Sequence, residues 1–152
     1  MVGKFFSTLF VICTLLVVQG CSVNRATATL APGTDLSRIR NVYVVKEAGD
    51  DHSIDELMKT QLTRMGYAAT NGPELPLPYK ADAVLTYVDK WMWDITMYML
   101  ELTVHLRNPE TNASLAVGNS MHTSLSRKSP EAMVEEVLNN IFKNAKPAGT
   151  SK

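Results

Sequence analysis

From Tyr98 to Leu106 the chain alternates without a break, Tyr98, Leu100, Leu102, Val104 and Leu106 being apolar and Glu101, Thr103 and His105 polar. A period of two puts each set on its own face of an extended strand and does not fit a helix, whose faces repeat at 3.6 residues. A strand with one apolar face needs a layer packed against it, so the chain is committed to a sheet covered by helices or by a second sheet. The five apolar residues are expected in the core, with Met97, Met99, Glu101, Thr103, His105 and Arg107 on the other face. Asn108-Pro109-Glu110-Thr111-Asn112 then supplies turn chemistry, with Pro109 suited to the first corner. Residues 113–123 return as the partner strand of a hairpin, and 81–93 precede it as a third strand of the meander.

The remaining elements are read from caps and periodicity. Asn41-Val42-Tyr43-Val44-Val45-Lys46 is dense in β-branched and aromatic residues and stops at Gly49-Asp50-Asp51, as a buried strand does. Ser53-Ile54-Asp55-Glu56 has capping-box spacing, and Ile54, Leu57, Met58, Leu62 and Met65 then share one helical face up to Gly66. Tyr67-Ala68-Ala69 suits a short strand, and Pro73, Pro76 and Pro78 hold the next segment extended. Ser129 and Pro130 open a closing helix whose apolar stripe is Val134, Val137, Leu138, Ile141 and Phe142. The order β-α-(β)-β-β-β-α predicts an α+β two-layer sandwich, an antiparallel-dominated sheet with both helices on one face and the other face free.

The segment before this domain is of a different kind. Lys4 precedes an uncharged run from Phe5 to Val18. As a helix the run is about 21 Å long, short of the ~30 Å hydrocarbon core, so a removable leader fits better than a permanent span. Val18-Gln19-Gly20-Cys21 resembles the lipobox of bacterial lipoproteins: an aliphatic residue, a tolerated residue, a small residue, then cysteine. The resemblance implies cleavage before Cys21, diacylglycerol on its thiol and acylation of the new amino terminus. Ser22 stands where aspartate would signal inner-membrane retention, so the resemblance further implies the outer membrane, with the domain facing the periplasm. The boundaries expected are a signal peptide over 1–20, a lipidated cysteine and flexible tether over 21–38, one domain over 39–144, and a disordered tail over 145–152. In outline the chain is similar to small envelope lipoproteins, among them the lipopolysaccharide-assembly lipoprotein and the lipoprotein activators of peptidoglycan synthases. The segment 81–94 is likewise similar to that of small proteobacterial lipoproteins.

The two cysteines are Cys13, in the leader, and Cys21, so the domain holds no thiol and no disulfide. Without Lys4 of the leader, fourteen Lys and Arg stand against fifteen Asp and Glu with no block of either sign, which argues against nucleic acid as a partner. Three histidines, no cysteine nucleophile and no Gly-x-Ser-x-Gly elbow point away from an enzyme. Asp82, Asp89 and Asp94 have mixed spacing and read as solvated or turn carboxylates.

The densest cluster is Trp91-Met92-Trp93-Asp94-Ile95-Thr96-Met97-Tyr98-Met99. Large residues here fill a sheet and helix interface. Alternatively Trp91, Trp93, Met97 and Met99 anchor a partner, since aromatic and methionine side chains dominate binding surfaces. Met97 and Met99 with His105 and His122 offer thioether and imidazole ligands that suit Cu(I), although the spacing matches no strict motif. No cofactor is expected. The function expected is a membrane-anchored envelope lipoprotein acting as a non-enzymatic partner-binding or assembly module, with a periplasmic small-ligand or soft-metal binder as the alternative.

Overall fold

The computed structural model describes residues 24–143; the signal segment, Cys21 and the tail expected from residue 145 lie outside them. Six strands form one sheet, β1 (Asn24–Leu30), β2 (Asn41–Val45), β3 (Ala68–Gly72), β4 (Ala83–Trp93), β5 (Met97–Arg107) and β6 (Ser114–His122), in the order β1-β6-β5-β4-β2-β3. Helices α1 (Ile54–Arg64) and α2 (Pro130–Phe142) pack on each other and on one face of the sheet, giving the expected α+β two-layer sandwich. β2 is parallel to both β3 and β4, while the other pairings are antiparallel. Among the described residues, no helix is long and apolar enough to cross a membrane.

The core lies between the sheet and the helices. From β5 come Leu102, Val104 and Leu106, from α1 Ile54, Met58 and Leu62, and from α2 Met133, Val134, Val137, Leu138, Ile141 and Phe142. α2 starts as its sequence says, with Ser129 Oγ accepting from Ala132 N at 3.3 Å and Pro130 in the first turn. It lies so close to β6 that a Cβ on Gly118 would stand 2.7 Å from a Val137 methyl. Gly66 ends the α1 turn at φ 94, where glycine carries no side-chain penalty.

Three expectations are corrected. Residues 24–38 of the tether expected over 21–38 are part of the fold, since Asn24–Leu30 pairs with β6 along its whole length and Leu36 is buried in the core. β1 is an edge strand with largely exposed side chains, so it lacks an apolar face for periodicity to detect. Its hold comes from the ladder and from Arg25, which donates to Asn119 Oδ1 at 3.0 Å and to Glu101 Oε1 at 3.2 Å.

The second correction concerns the entry to α1. Ser53 adopts φ 58 and makes no side-chain cap. Asp50 takes that role: its carboxylate accepts from His52 N at 2.8 Å and Ile54 N at 2.7 Å, and from the Tyr87 hydroxyl at 2.6 Å. The capping acceptor thus sits three residues earlier than a capping box places it.

The third is a bulge in the hairpin. Lys90 pairs with Glu101 but Trp91 pairs with Met99, which leaves Leu100 without an opposing residue. An extra residue shifts the alternation by one. Before the bulge Met99 therefore joins the core, whereas Tyr98 and Leu100 are only partly covered.

Candidate functional site

The bulge splits the aromatic and methionine cluster into an inner and an outer pair on one face of the β4–β5 hairpin. Trp91 stands opposite Met99 and Trp93 opposite Met97, so all four residues share that face. The inner pair is structural: Met99 is 1% exposed, and Trp91 packs against the core with His52 stacked on its ring at 3.7 Å between centroids. Trp91 Nε1 also donates to Asp89 Oδ2. Met99 is therefore no part of a surface. The outer pair behaves oppositely, with Trp93 71% exposed and Met97 also in solvent.

Around the outer pair the tip is apolar and braced. Ile95, in the turn between the strands, is 87% exposed. Beside it lies a 3₁₀ turn, Ser124–Ser126, whose Leu125 is 91% exposed. Arg127 ties the two together, donating to Thr96 Oγ1 at 2.7 Å and to Asp94 Oδ2 at 3.0 Å while its guanidinium lies 4.4 Å over the Tyr98 ring. Ser124 Oγ also donates to Asp94, and this bond, reinforced by Ile95 N–H and Arg127, holds the Asp94 carboxyl below the usual range. Sequence reasoning missed Ile95 and Leu125. A signal existed: each is a large apolar residue inside a polar turn, where solvent is the expected environment.

The two tryptophans should therefore separate in a stability measurement. Trp91→Ala removes a packed, hydrogen-bonded ring and is expected to cost about 3 kcal/mol, whereas Trp93→Ala should stay within about 0.5 kcal/mol. Urea midpoints of the two variants decide it, and equal losses would contradict the division into inner and outer pairs.

The other candidates are dispersed. His122 is buried beneath α2, its Nε2 2.7 Å from Glu136 Oε2, with Ser120 Oγ donating to the same oxygen at 2.7 Å and Lys128 binding the second oxygen. Burial pushes the Glu136 carboxyl up, but the bonds from Lys128, His122 and Ser120 outweigh it and bring it down to about 2. Serine and histidine here share one carboxylate oxygen and are both buried, which is the geometry of a structural bridge between β6 and α2. His105 lies on the opposite face of the sheet, across from Thr86. Met97, Met99, His105 and His122 are thus not brought together, and among the described residues no three His, Cys, Asp or Glu converge on a point. Asp82, Asp89 and Asp94 likewise serve separate local bonds, Asp82 accepting from the backbone of Arg40 at 2.8 Å and Asn41 at 2.9 Å.

The sheet face away from the helices is not fully open. The proline segment crosses it, with Tyr43 Oη donating to Pro73 O at 2.8 Å and Tyr43 against Tyr79 at 5.3 Å. Between segment and sheet lies a cleft of about 560 Å³ lined by Glu74, Leu77, Thr86, His105, Arg107 and Asn112, among others. Burial, then the charge of Arg107, lowers the His105 pKa. Arg107 Nε is buried without a hydrogen-bond partner, so an anion of modest size would find an unused donor there.

No family model and no curated protein matches the sequence. Solved structures do match its shape. A variant PelC dodecamer from Paraburkholderia phytofirmans superposes with a TM-score of 0.57 at 18% identity, covering 79% of this chain and 96% of that one. A second PelC dodecamer from the same organism gives 0.57 at 15% identity, over 82% and 99%. A PDZ domain protein from Parabacteroides distasonis gives 0.50 at 7% identity, over 92% of this chain and 40% of that one. At these identities the likeness is one of fold.

Proposed function

We propose that this chain is an envelope lipoprotein, acylated at Cys21 and held at the outer membrane with its domain in the periplasm, where the domain serves as a non-enzymatic binding or assembly module. The observation that carries the reading is the hairpin tip, where Trp93, Ile95 and Met97 stand in solvent on a hydrogen-bonded scaffold beyond the buried core. A contiguous apolar projection of this kind marks a binding surface. The resemblance of residues 18–21 to a lipobox supports the anchor, and the occurrence of the same fold in the PelC dodecamer supports a role in an assembly.

Cys21→Ser tests the anchor. Cells fed a labelled fatty-acid analogue should incorporate label into the parent protein and none into the variant, which should also keep its leader and run at higher mass. Label and mobility unchanged by the substitution would remove the anchored reading.

A small-ligand reading is favoured by one observation, the unpartnered Arg107 Nε in the cleft beneath the proline segment. Calorimetric titration with phosphate and short carboxylates separates the two readings, since the binding-module reading expects no heat from either.

A further inference from the structure

The topology brings the apolar tip and the start of β1 to the same end of the domain. β6 ends at His122, opposite Asn24, the first residue of β1, and Met121 pairs with Glu101 of β5. β5 continues past that point to Met97, three residues beyond the level of His122, so the hairpin projects roughly 10 Å beyond the end of β6 at about 3.3 Å per residue. Ser126 of the 3₁₀ turn bonds Asn24, while Ser124 and Arg127 bond Asp94 at the tip. The start of β1, Leu125 and the tip therefore form one continuous edge.

Cys21 precedes Asn24 by three residues, a span of at most about 11 Å however the chain runs. A bilayer holding acyl chains on Cys21 must then lie close to the start of β1, within reach of the projecting hairpin. The edge exposes Trp93, Ile95, Met97 and Leu125, and its charges are paired within the protein, Asp94 with Arg127 and Arg25 with Glu101. Tryptophan is suited to such a boundary because its ring is amphipathic and settles at headgroup level. We infer that this edge docks on the lipid bilayer that holds Cys21, with Trp93, Ile95 and Leu125 seated among the headgroups and upper acyl chains. The inference rests on the anchored reading above and names the occupant of the same surface. The short link favours the bilayer over a second copy or another protein, because either would have to enter a gap narrower than a domain.

Fluorescence quenching reads the contact directly. In Trp91→Phe, Trp93 is the sole tryptophan. The acylated mature protein carrying this substitution, placed in phosphatidylethanolamine and phosphatidylglycerol vesicles, should lose more than half of its emission when the lipids are brominated near the headgroup. Iodide in the buffer should then quench it at least threefold less than it quenches an unanchored control, the Trp91→Phe protein carrying Cys21→Ser and made without residues 1–20. Trp93→Phe, which reports from the packed Trp91, should show little effect of either quencher. Emission unchanged by brominated lipid overturns the inference, as does shielding of Trp93 in the unanchored protein without vesicles, which would mean that a second copy covers the tip. Mass spectrometry of the same preparation reads the anchor separately. An acylated Cys21 with an unquenched Trp93 removes the membrane contact alone, whereas a Cys21 without acyl mass removes the anchored reading and the contact with it.

Discussion

Leu102→Asp is expected to abolish cooperative folding, whereas Thr103→Asp, one residue along, should leave stability within about 1 kcal/mol. Leu102 is fully buried between β5 and the helices, and a carboxylate there has no donor within the apolar cluster. It must either carry its charge into a low-dielectric core or take up a proton, and both cost several kcal/mol against a total stability of roughly 5–15. Thr103 faces the other way and is partly exposed, with Asn119 Nδ2 donating to its Oγ1 at 2.9 Å. An aspartate there can accept the same bond. If Leu102→Asp yields no soluble protein, Leu102→Ala supplies the number, expected at about 3 kcal/mol in urea denaturation. Comparable losses at 102 and 103 would mean that the strand is buried on both faces.

Asp50→Ala should cost about 3 kcal/mol, far more than Ser53→Ala, which is expected to be nearly silent. Asp50 binds the first amides of α1 and the buried Tyr87 hydroxyl at once, so its removal strips the helix cap and leaves that hydroxyl with one weaker bond, from Glu47 N at 3.3 Å. Burial pushes the Asp50 carboxyl up, but the bonds from Tyr87 and from the amides of His52, Asp55 and Ile54 prevail, and its pKa lies below the ordinary value. The same burial, with the bond to Asp50, raises the pKa of Tyr87. A carboxylate depressed in the folded state contributes stability that is full above its unfolded pKa of about 3.9 and disappears as pH falls through the folded value. The parent protein should therefore lose stability below about pH 4 more steeply than Asp50→Asn does. Parallel pH profiles for the two, or a Ser53→Ala loss as large as that of Asp50→Ala, would return the cap to Ser53.

The candidate site was half legible. Trp91, Trp93, Met97 and Met99 share a face, as two-residue spacing in paired strands requires. Which of them is exposed was not readable from composition, because a tryptophan packed on the core and a tryptophan at a projecting tip look alike in sequence. Ile95 and Leu125 belong to the same surface and were passed over, since each sits singly in a polar turn and they are adjacent only through the bonds of Arg127 and Ser124.

What the sequence determined by itself was every element with a strong periodic or capping signal: the alternating strand through Leu102, Val104 and Leu106, the hairpin turn at Asn108, the apolar stripes of both helices and the start of α2 at Ser129. These are local consequences of side-chain geometry, and they suffice for the α+β class and for helices covering one face of the sheet. Tertiary structure alone decided the rest, in each case because the stabilising partner is remote in sequence. β1 is held by a ladder to β6 some ninety residues away, so no apolar pattern announces it. Asp50 becomes the α1 cap because Tyr87 on β4 fixes its carboxylate. Met99 enters the core because a one-residue bulge reverses the faces of β5 between Glu101 and Met99. The same long-range pairing sets the first strand, through Asn24 and Ser126, beside the hairpin tip.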